Sequence, residues 1–198
     1  LVNNIASYGN HLTTGFLGTP YLCHVLTRYG YSDIAYKLLL QENYPSWLYP
    51  VKNGATTIWE RWDGQKPDGS FQSVGMNSFN HYSFGAVAAW MYTWSLGIQR
   101  DENSPGFKHF NLQPTPDPSG KITYAKGFVE TVYGKISSQW KKEGNKVTYD
   151  FVIPANTSAH VRLLIPKGAK ITEGGKPVKF TASANEYKTE LGSGSYHW

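Results

Sequence analysis

The chain has 198 residues and a hydrophobic fraction of 40%, which is enough for the cores of one large or two small domains. Nineteen Lys and Arg residues against fourteen Asp and Glu residues give a net charge of +5, and a basic excess can mark a nucleic-acid partner. The lysines are scattered along alternating segments, which favours solvated strand faces, so we expect no nucleic-acid partner. The apolar runs are too short to cross a bilayer, and we expect no membrane partner.

Two features leave the cellular location open. The single cysteine, Cys23, excludes an internal disulfide and says little about the compartment. The first residues contain neither an initiator Met nor a basic region like that of a signal peptide, so we expect the chain to be part of a longer protein.

The first hundred residues have the pattern of helices joined by aromatic-rich loops. The predicted helices cover residues 19–30, 32–44 and 78–96. Thr19 and Pro20 suit the cap and first position of the first helix, and Gly97 suits the end of the third. Apolar residues cover wide arcs of these helices, as expected for elements buried between others.

The helical region is too small to form a self-contained core. Residues 43–76 form a long irregular stretch, and long ordered loops are often functional. We therefore predict that residues 1–104 are the end of a larger helical domain.

From about residue 107 the pattern changes to the period of two that is typical of strands. Three segments alternate β-branched or aromatic residues with polar ones: "KITYAKGFVETVYGKISSQWKK", "NKVTYDFVIPA" and "AHVRLLIPKGAKI". A Pro-rich connector, "SPGFKHFNLQPTPDPSG", precedes them. Residues 105–198 are thus predicted to be an antiparallel β-sandwich that packs against the helical domain. Sugar binding through Tyr133, Trp140 or Trp198 is the alternative role of this domain.

The loop "GATTIWERWDGQKPDG" contains the first candidate for chemistry, Glu60, between Trp59 and Arg61 and followed by Trp62. Desolvation by indoles can tune a carboxylate, and nearby donors such as Arg61 can orient it. Indoles and carboxylates together also suit sugars, whose C–H faces stack on aromatic rings. The alternative is a structural ion pair in a packed loop.

A second candidate, His81, lies at the predicted start of the third helix, where an imidazole can donate to a ligand hydroxyl. The alternative is a histidine that caps or packs against the helix. Asn77, Ser78 and Asn80 are expected to be caps rather than ligands.

Sequence spacing gives little support to other site types. His11, His24, His81 and Cys23 lack zinc-site spacing, so we predict no metal site and no cofactor. The glycines of "HLTTGFLGTP" suit a turn or a close backbone approach to a ligand, but the sequence is not that of a phosphate loop.

Five segments, in this order, resemble the bacterial and fungal α-L-rhamnosidases of glycoside hydrolase family 78. They are "TTGFLGTPYL", "YSDIAYKLLLQENYPSWLY", "GATTIWERWDG", "MNSFNHYSFGAVAAWMY" and "IPANTSAHVRLLIP". The resemblance implies an α+β multidomain fold in which the last helices of an (α/α)6-barrel catalytic domain precede an antiparallel β-sandwich. It also implies inverting hydrolysis of terminal α-L-rhamnose from rhamnosides.

The resemblance also assigns expected roles. The glutamate of the Trp-Glu-Arg-Trp segment, Glu60 here, is implied to be the general base that activates water. The histidine of the Asn-His-Tyr segment, His81, is implied to contact the sugar. Trp59, Arg61 and Trp62 are predicted to line the pocket or to orient Glu60.

An inverting glycosidase also needs a carboxylic acid as general acid, and the resemblance places it in an earlier barrel segment. Nothing before Glu60 matches that segment, since Asp33 and Glu42 lie in an ordinary amphipathic helix. We expect the acid, with the remainder of the barrel, to lie outside this chain, which alone would be inactive. Two alternatives stay open: a different (α/α)6-barrel exo-glycosidase, and a non-catalytic fragment or carbohydrate-binding remnant.

Overall fold

The computed structural model describes residues 1–166, 168–178 and 186–198, so Lys167 of the third predicted β segment lies outside the described residues. These residues form two compact units, Leu1–Trp90 and Met91–Trp198. The domain boundary between residues 104 and 105 stays a prediction. Within the described ranges, no helix has both the length and the apolar character needed to span a membrane.

The helical unit contains short helices separated by long loops. The α-helices are α1 (Val2–Ser7), α2 (Thr19–Arg28), α3 (Ser32–Leu39), α4 (Leu48–Lys52) and α5 (Val87–Trp90), with 3-10 turns at Val74–Met76 and Tyr82–Ala86. The first two predicted helices are confirmed as α2 and α3, although α3 ends earlier than predicted. Beyond it, the side-chain oxygen of Gln41 accepts hydrogen bonds from the backbone amides of Glu42 and Asn43, in place of helical carbonyls.

The start of the first predicted helix differs by one residue from the sequence prediction. Gly18 is the cap, and Thr19 is already the first helical residue. The Thr19 hydroxyl bonds to the Thr14 hydroxyl at 2.8 Å, so it ties the helix to the preceding turn.

The third predicted helix begins later than expected and is irregular. A 3-10 turn, α5 and a π-helical turn at Met91–Ser95 follow one another from residue 82. Residues 78–81 are not helical, because their backbone groups bond to another loop, as described below. The predicted end is confirmed: Gly97 has a φ of +75°, and a Cβ atom there would lie 2.1 Å from the backbone nitrogen of Pro114.

The core of the helical unit lies between α2, α3 and α5. The Trp90 ring is completely buried, packs edge-on against Tyr36 at 5.0 Å, and donates its N–H to the Thr27 hydroxyl at 2.9 Å. Cys23 is also buried, and desolvation raises its pKa to about 12, so the thiol is a packing residue.

Helix α2 is apolar on two faces. Leu22, Cys23 and Leu26 face the core, whereas Tyr21, Val25 and Tyr29 recur every four residues on the opposite, exposed side. This arrangement agrees with the wide apolar arc in the sequence.

The second unit is a β-sandwich. Its strands are β1 (Ile98–Arg100), β2 (His109–Leu112), β3 (Tyr124–Thr131), β4 (Gly134–Glu143), β5 (Lys146–Ile153), β6 (Ser158–Leu164), β7 (Thr172–Glu173), β8 (Lys176–Pro177), β9 (Glu186–Leu191) and β10 (Gly194–His197). One four-stranded sheet has the order β1-β2-β6-β9, the other β10-β5-β4-β3, and β7 pairs with β8.

The first of these sheets departs from the predicted antiparallel pattern. Strands β2 and β6 pair in parallel, with His109 opposite Ser158 and Asn111 opposite His160. The chain leaves β2, builds β3, β4 and β5 of the other sheet, and returns in the same direction, as a parallel pair requires. Strand β2 itself lies inside the segment that the sequence predicted to be a connector.

The core of the sandwich takes alternate residues from both sheets. Phe110, Ile136, Trp140, Phe151 and Val161 are at most 1% exposed. Trp198 is buried in the same core, so neither it nor Trp140 presents a ring to a sugar. The alternative sugar-binding role is therefore wrong for these two tryptophans.

Candidate active site

The candidate site is built by two loop segments of the helical unit that run side by side. The Glu60 amide donates to the Ser78 carbonyl at 2.9 Å, and the His81 amide donates to the Ile58 carbonyl at 2.8 Å. These bonds bring the segments of Glu60 and His81, which are distant in sequence, onto one short backbone ladder.

Between the two segments the chain folds into a small hairpin. The Gln72 amide donates to the Gly64 carbonyl at 3.2 Å, and the Asn77 side chain donates to the same carbonyl at 3.0 Å. A Cβ atom at Gly64 would lie 3.2 Å from the Trp59 ring, so glycine lets the hairpin pack on that indole. The long predicted loop is therefore ordered by its own hydrogen bonds.

One oxygen of the half-buried Glu60 carboxylate is fixed by the backbone. Oε2 accepts the Ser78 amide proton at 2.7 Å, which is the length of a charge-assisted hydrogen bond. No residue in the described ranges donates a hydrogen bond to Oε1. The carboxylate is thus oriented through one oxygen while the other is open to a water molecule.

Ser78, and not Arg61, is the donor that orients Glu60. The Arg61 guanidinium pairs with Asp63 at 3.3 Å, and the second Asp63 oxygen accepts from Gln72. The expected orienting contact from Arg61 to Glu60 is absent among the described contacts, and a substrate-binding role for Arg61 stays a prediction. Ser78 was expected to be a cap, and its hydroxyl does accept from the Asn80 amide at 3.1 Å.

Both indoles of the Trp-Glu-Arg-Trp segment are packed in the loops. Trp59 is buried and lies edge-on to Phe79 at 5.1 Å. Trp62 stacks on Phe84 at 3.7 Å and donates its N–H to the Thr14 carbonyl at 3.2 Å. These contacts hold the backbone on both sides of Glu60, and direct sugar contacts by either ring stay predictions.

His81 has the capping role that the sequence left open, and its contact with a ligand stays a prediction. Its Nδ1 accepts the Ser83 amide proton at 3.4 Å and so caps the 3-10 turn Tyr82–Ala86. In the neutral ring the proton then lies on Nε2, which can donate to a ligand. Phe16 stacks on the imidazole at 4.7 Å with an interplanar angle of 5° and fixes its plane.

Phe16 is a site residue that the sequence reasoning missed. The glycines around it indicated a turn, which the structure shows at residues 15–18, where the Gly18 amide donates to the Gly15 carbonyl. A solitary aromatic residue between two glycines was the available signal, because a turn has no core of its own in which to bury a ring.

The Tyr49 side chain of α4 is held by the loop that contains Asp63. The Tyr49 hydroxyl donates to the Gln65 carbonyl at 2.8 Å. Burial, followed by the negative charge of Asp63, raises the pKa of Tyr49, so the hydroxyl stays a donor at neutral pH.

Comparison with known proteins identifies the family. The model of the bacterial alpha-L-rhamnosidase 6 hairpin glycosidase domain matches residues 1–94, and that of the bacterial alpha-L-rhamnosidase C-terminal domain matches residues 97–177. The chain belongs to the bacterial α-L-rhamnosidase family.

Individual α-L-rhamnosidases cover most of the chain. The Streptomyces avermitilis enzyme is 44% identical over 151 residues, which are 76% of this chain, and a Formosa agariphila enzyme is 40% identical over 163 residues, which are 82%. The crystal structure of the Streptomyces avermitilis α-L-rhamnosidase complexed with L-rhamnose superposes with a TM-score of 0.88 and 38% identity. It covers 99% of this chain, which in turn covers 19% of that structure.

The chain spans 14% and 17% of the lengths of these two curated α-L-rhamnosidases. The predicted family and fold class are confirmed: helices that match the 6-hairpin glycosidase domain precede a β domain that matches the family's C-terminal domain. The roles of Glu60, His81, Trp59, Arg61 and Trp62 stay predictions.

Proposed function

We propose that this chain belongs to an inverting α-L-rhamnosidase, in which Glu60 is the general base for hydrolysis of terminal α-L-rhamnosides. The observation that carries the proposal is the Glu60 carboxylate, held through Oε2 by the Ser78 amide with Oε1 open. Its setting in a 6-hairpin glycosidase domain of the α-L-rhamnosidase family supplies the substrate class.

The proposed reaction uses this geometry. Ionised Glu60 takes a proton through Oε1 from a water molecule, which attacks the anomeric carbon on the face opposite the leaving group. The Ser78 amide occupies Oε2 and leaves Oε1 for the water. A separate acid protonates the departing oxygen as an oxocarbenium-like transition state forms.

His81 is proposed to bind the sugar. Its Nε2 proton can donate to a rhamnose hydroxyl, because Nδ1 is already occupied by the Ser83 amide. The parallel stack on Phe16 favours this ring plane, which helps to orient the donor. Trp59, Trp62 and Arg61 keep the proposed substrate-binding role, although the contacts above indicate that they act mainly by positioning the loops.

The general acid is proposed to come from a part of the barrel outside this chain. Three other carboxylates of the helical unit are already engaged: Glu42 pairs with Lys52, Asp63 with Arg61, and Asp68 accepts from Ser70. The remaining one, Asp33, is an exposed residue in the first turn of α3. The remaining barrel helices would also cover the exposed apolar face of α2, and the small share of the relatives' length in this chain supports their existence.

The decisive experiment is Glu60→Gln in the complete protein. Loss of a general base should lower kcat on an aryl α-L-rhamnoside by about 10²–10⁴-fold, while the dissociation constant of free rhamnose changes little. Glu42→Gln, which removes a carboxylate from a surface ion pair, is the matched control and should keep normal turnover. Near-normal kcat for Glu60→Gln would remove Glu60 from the role.

Two further measurements separate the alternatives. Proton NMR of the first product should show β-L-rhamnose, and the α anomer would contradict inversion. A panel of chromogenic glycosides should show the highest kcat/KM for the rhamnoside, and preference for another sugar would favour a different exo-glycosidase.

A further inference from the structure

The β-sandwich unit carries a second cluster of reactive side chains, unrelated to the loops of the candidate active site. His109 lies on β2, His160 on β6, and Glu190 opposite His160 on β9. Asp101 directly follows β1, so the cluster takes one residue from each of β2, β6 and β9 and one from the end of β1. One potential ligand atom from each of Asp101, His109 and His160 lies within 4.8 Å of the others.

We propose that Asp101, His109 and His160 bind a divalent transition-metal ion of the zinc class, with Glu190 as the fourth protein ligand. His109 Nε2 lies 3.9 Å from Asp101 Oδ2 and 3.6 Å from Glu190 Oε1, and His160 Nδ1 lies 3.5 Å from Glu190 Oε2. Ligands about 2.1 Å from a tetrahedral zinc ion are separated by about 3.4 Å, which is close to these three distances. Ligand atoms of Asp101, His109 and His160 already lie within 4.8 Å of one another, and Glu190 would join them by a side-chain rotation.

The hydrogen bond on the far side of His109 prepares the ring for this role. Its Nδ1 lies 2.7 Å from the Ser158 hydroxyl oxygen, which can accept the Nδ1 proton. The lone pair of Nε2 then points into the cluster. Metal-binding histidines typically have such a partner on their other nitrogen, which fixes the tautomer and the ring plane.

The exposure of the cluster suits capture of an ion from solvent. The side chains of Asp101 and His109 are 18% and 21% exposed, whereas those of His160 and Glu190 are 51% and 58% exposed. Two ligands are therefore held by the fold while two can close over the ion. A divalent cation would also neutralise the two carboxylates that face the imidazoles.

The donor set selects the class of metal. Two imidazoles with carboxylate oxygens suit zinc, cobalt, nickel or copper, whereas calcium and magnesium prefer oxygen ligands alone. Because three ligands come from β2, β6 and β9 and Asp101 directly follows β1, the bound ion would act as a cross-link within this sheet. The spacing of these residues in the sequence could not reveal the metal cluster. His109 and His160 are brought together by the pairing of β2 with β6, and not by a local motif.

The rival explanation of the cluster is a set of simple ion pairs between protonated histidines and carboxylates. The other sheet contains such a pair outside the cluster, since His197 on β10 pairs with Asp150 on β5 at 2.5 Å. His197→Ala therefore removes a histidine–carboxylate pair that is not part of the cluster.

The test is calorimetric titration of Zn²⁺ into metal-free protein, with His160→Ala as the main variant, since the exposed His160 side chain can be truncated without opening the core. Wild type and His197→Ala should bind one more equivalent of Zn²⁺ than His160→Ala, and Zn²⁺ should raise Tm only in the first two. Ser158→Ala, which keeps every ligand, should weaken Zn²⁺ binding about 10- to 100-fold.

A second probe reports the coordination directly. Co²⁺ should give the intense visible absorption of a four-coordinate ion in wild type and His197→Ala, and that absorption should be missing in His160→Ala. Equal Zn²⁺ stoichiometry in wild type and His160→Ala, or a Tm that Zn²⁺ raises by the same amount in both, would overturn the proposal and leave ion pairs as the explanation.

Discussion

The two units of the chain differ in how completely they bury their own apolar surface. In the β-sandwich, residues from both sheets share one core, and Phe110 and Trp140 are fully buried within it. In the helical unit, Tyr21 and Val25 of α2 and Tyr29 directly after it are exposed, on the side away from the core. The sandwich therefore has a closed core of its own, whereas the helical unit has an apolar face whose composition suits contact with further helices.

The loops of the candidate active site and the sandwich are also ordered by different kinds of contact. The loops around Glu60 and His81 are ordered by a few backbone bonds and by aromatic contacts such as Trp62 on Phe84. The sandwich is ordered by continuous ladders, such as the register of β3 with β4. Function placed on loops that a rigid scaffold supports is common among enzymes.

The largest effect is expected in the closed core. Trp140→Ala removes a completely buried ring and its 2.8 Å hydrogen bond to the Ser95 carbonyl. It should lower the free energy of unfolding of the sandwich by about 3–5 kcal/mol, because a large cavity is left. Differential scanning calorimetry would measure this, with the exposed Tyr124→Ala on the same sheet as control. Equal Tm values for both variants would contradict a closed core.

The second prediction tests the open face by a matched pair of valines. Val25 on α2 and Val152 on β5 are 40% and 41% exposed, respectively. In the complete protein, Val25→Lys should cost roughly 2 kcal/mol or more of stability, because further helices would bury the new charge. Val152→Lys should change stability by less than about 0.5 kcal/mol, as on an ordinary surface. Thermal unfolding of both variants is the measurement, and equal shifts would show that α2 has no partner.

The sequence allowed the family, the two structural classes and the helices α2 and α3 to be predicted, because each depends on local pattern or motif. It could not show that residues 78–81 would leave the helix, since their amides and carbonyls are taken by Ile58 and Glu60. The parallel pairing of β2 with β6 was equally hidden, because it depends on the order in which the sheets are built. Glu60 was predicted from its neighbours, but its hydrogen-bond donor is the backbone amide of Ser78, which any residue other than proline could supply.

A third, smaller effect concerns a polar anchor inside the helical core, the Thr27 hydroxyl. The Thr27 hydroxyl accepts from the Trp90 indole at 2.9 Å and donates to the Cys23 carbonyl at 2.9 Å. Thr27→Val keeps the shape but leaves the buried indole N–H without its acceptor, which should cost about 1–3 kcal/mol. Chemical denaturation followed by circular dichroism would measure the loss. Thr27→Ser, which keeps the hydroxyl, should recover most of it, and a failure to do so would contradict the hydrogen-bond explanation.

The smallest expected effect is a pH dependence on the sandwich surface. Hydrogen bonds from Arg162 and then Lys188 lower the pKa of Glu186 from 4.5 to about 2. Because the folded-state pKa is the lower one, this carboxylate stabilises the fold above pH 4.5, and the contribution is lost as the pH falls from about 4.5 to about 2.

Glu186→Gln should therefore lower stability at neutral pH by less than about 1 kcal/mol, since surface pairs are screened by solvent. The difference in Tm between wild type and variant should shrink as the pH falls from 5 to 2, and 1 M salt should reduce it at neutral pH. If the difference in Tm stays constant over this range, the effect of the substitution does not depend on ionisation of Glu186. The lost stability would then come from altered packing.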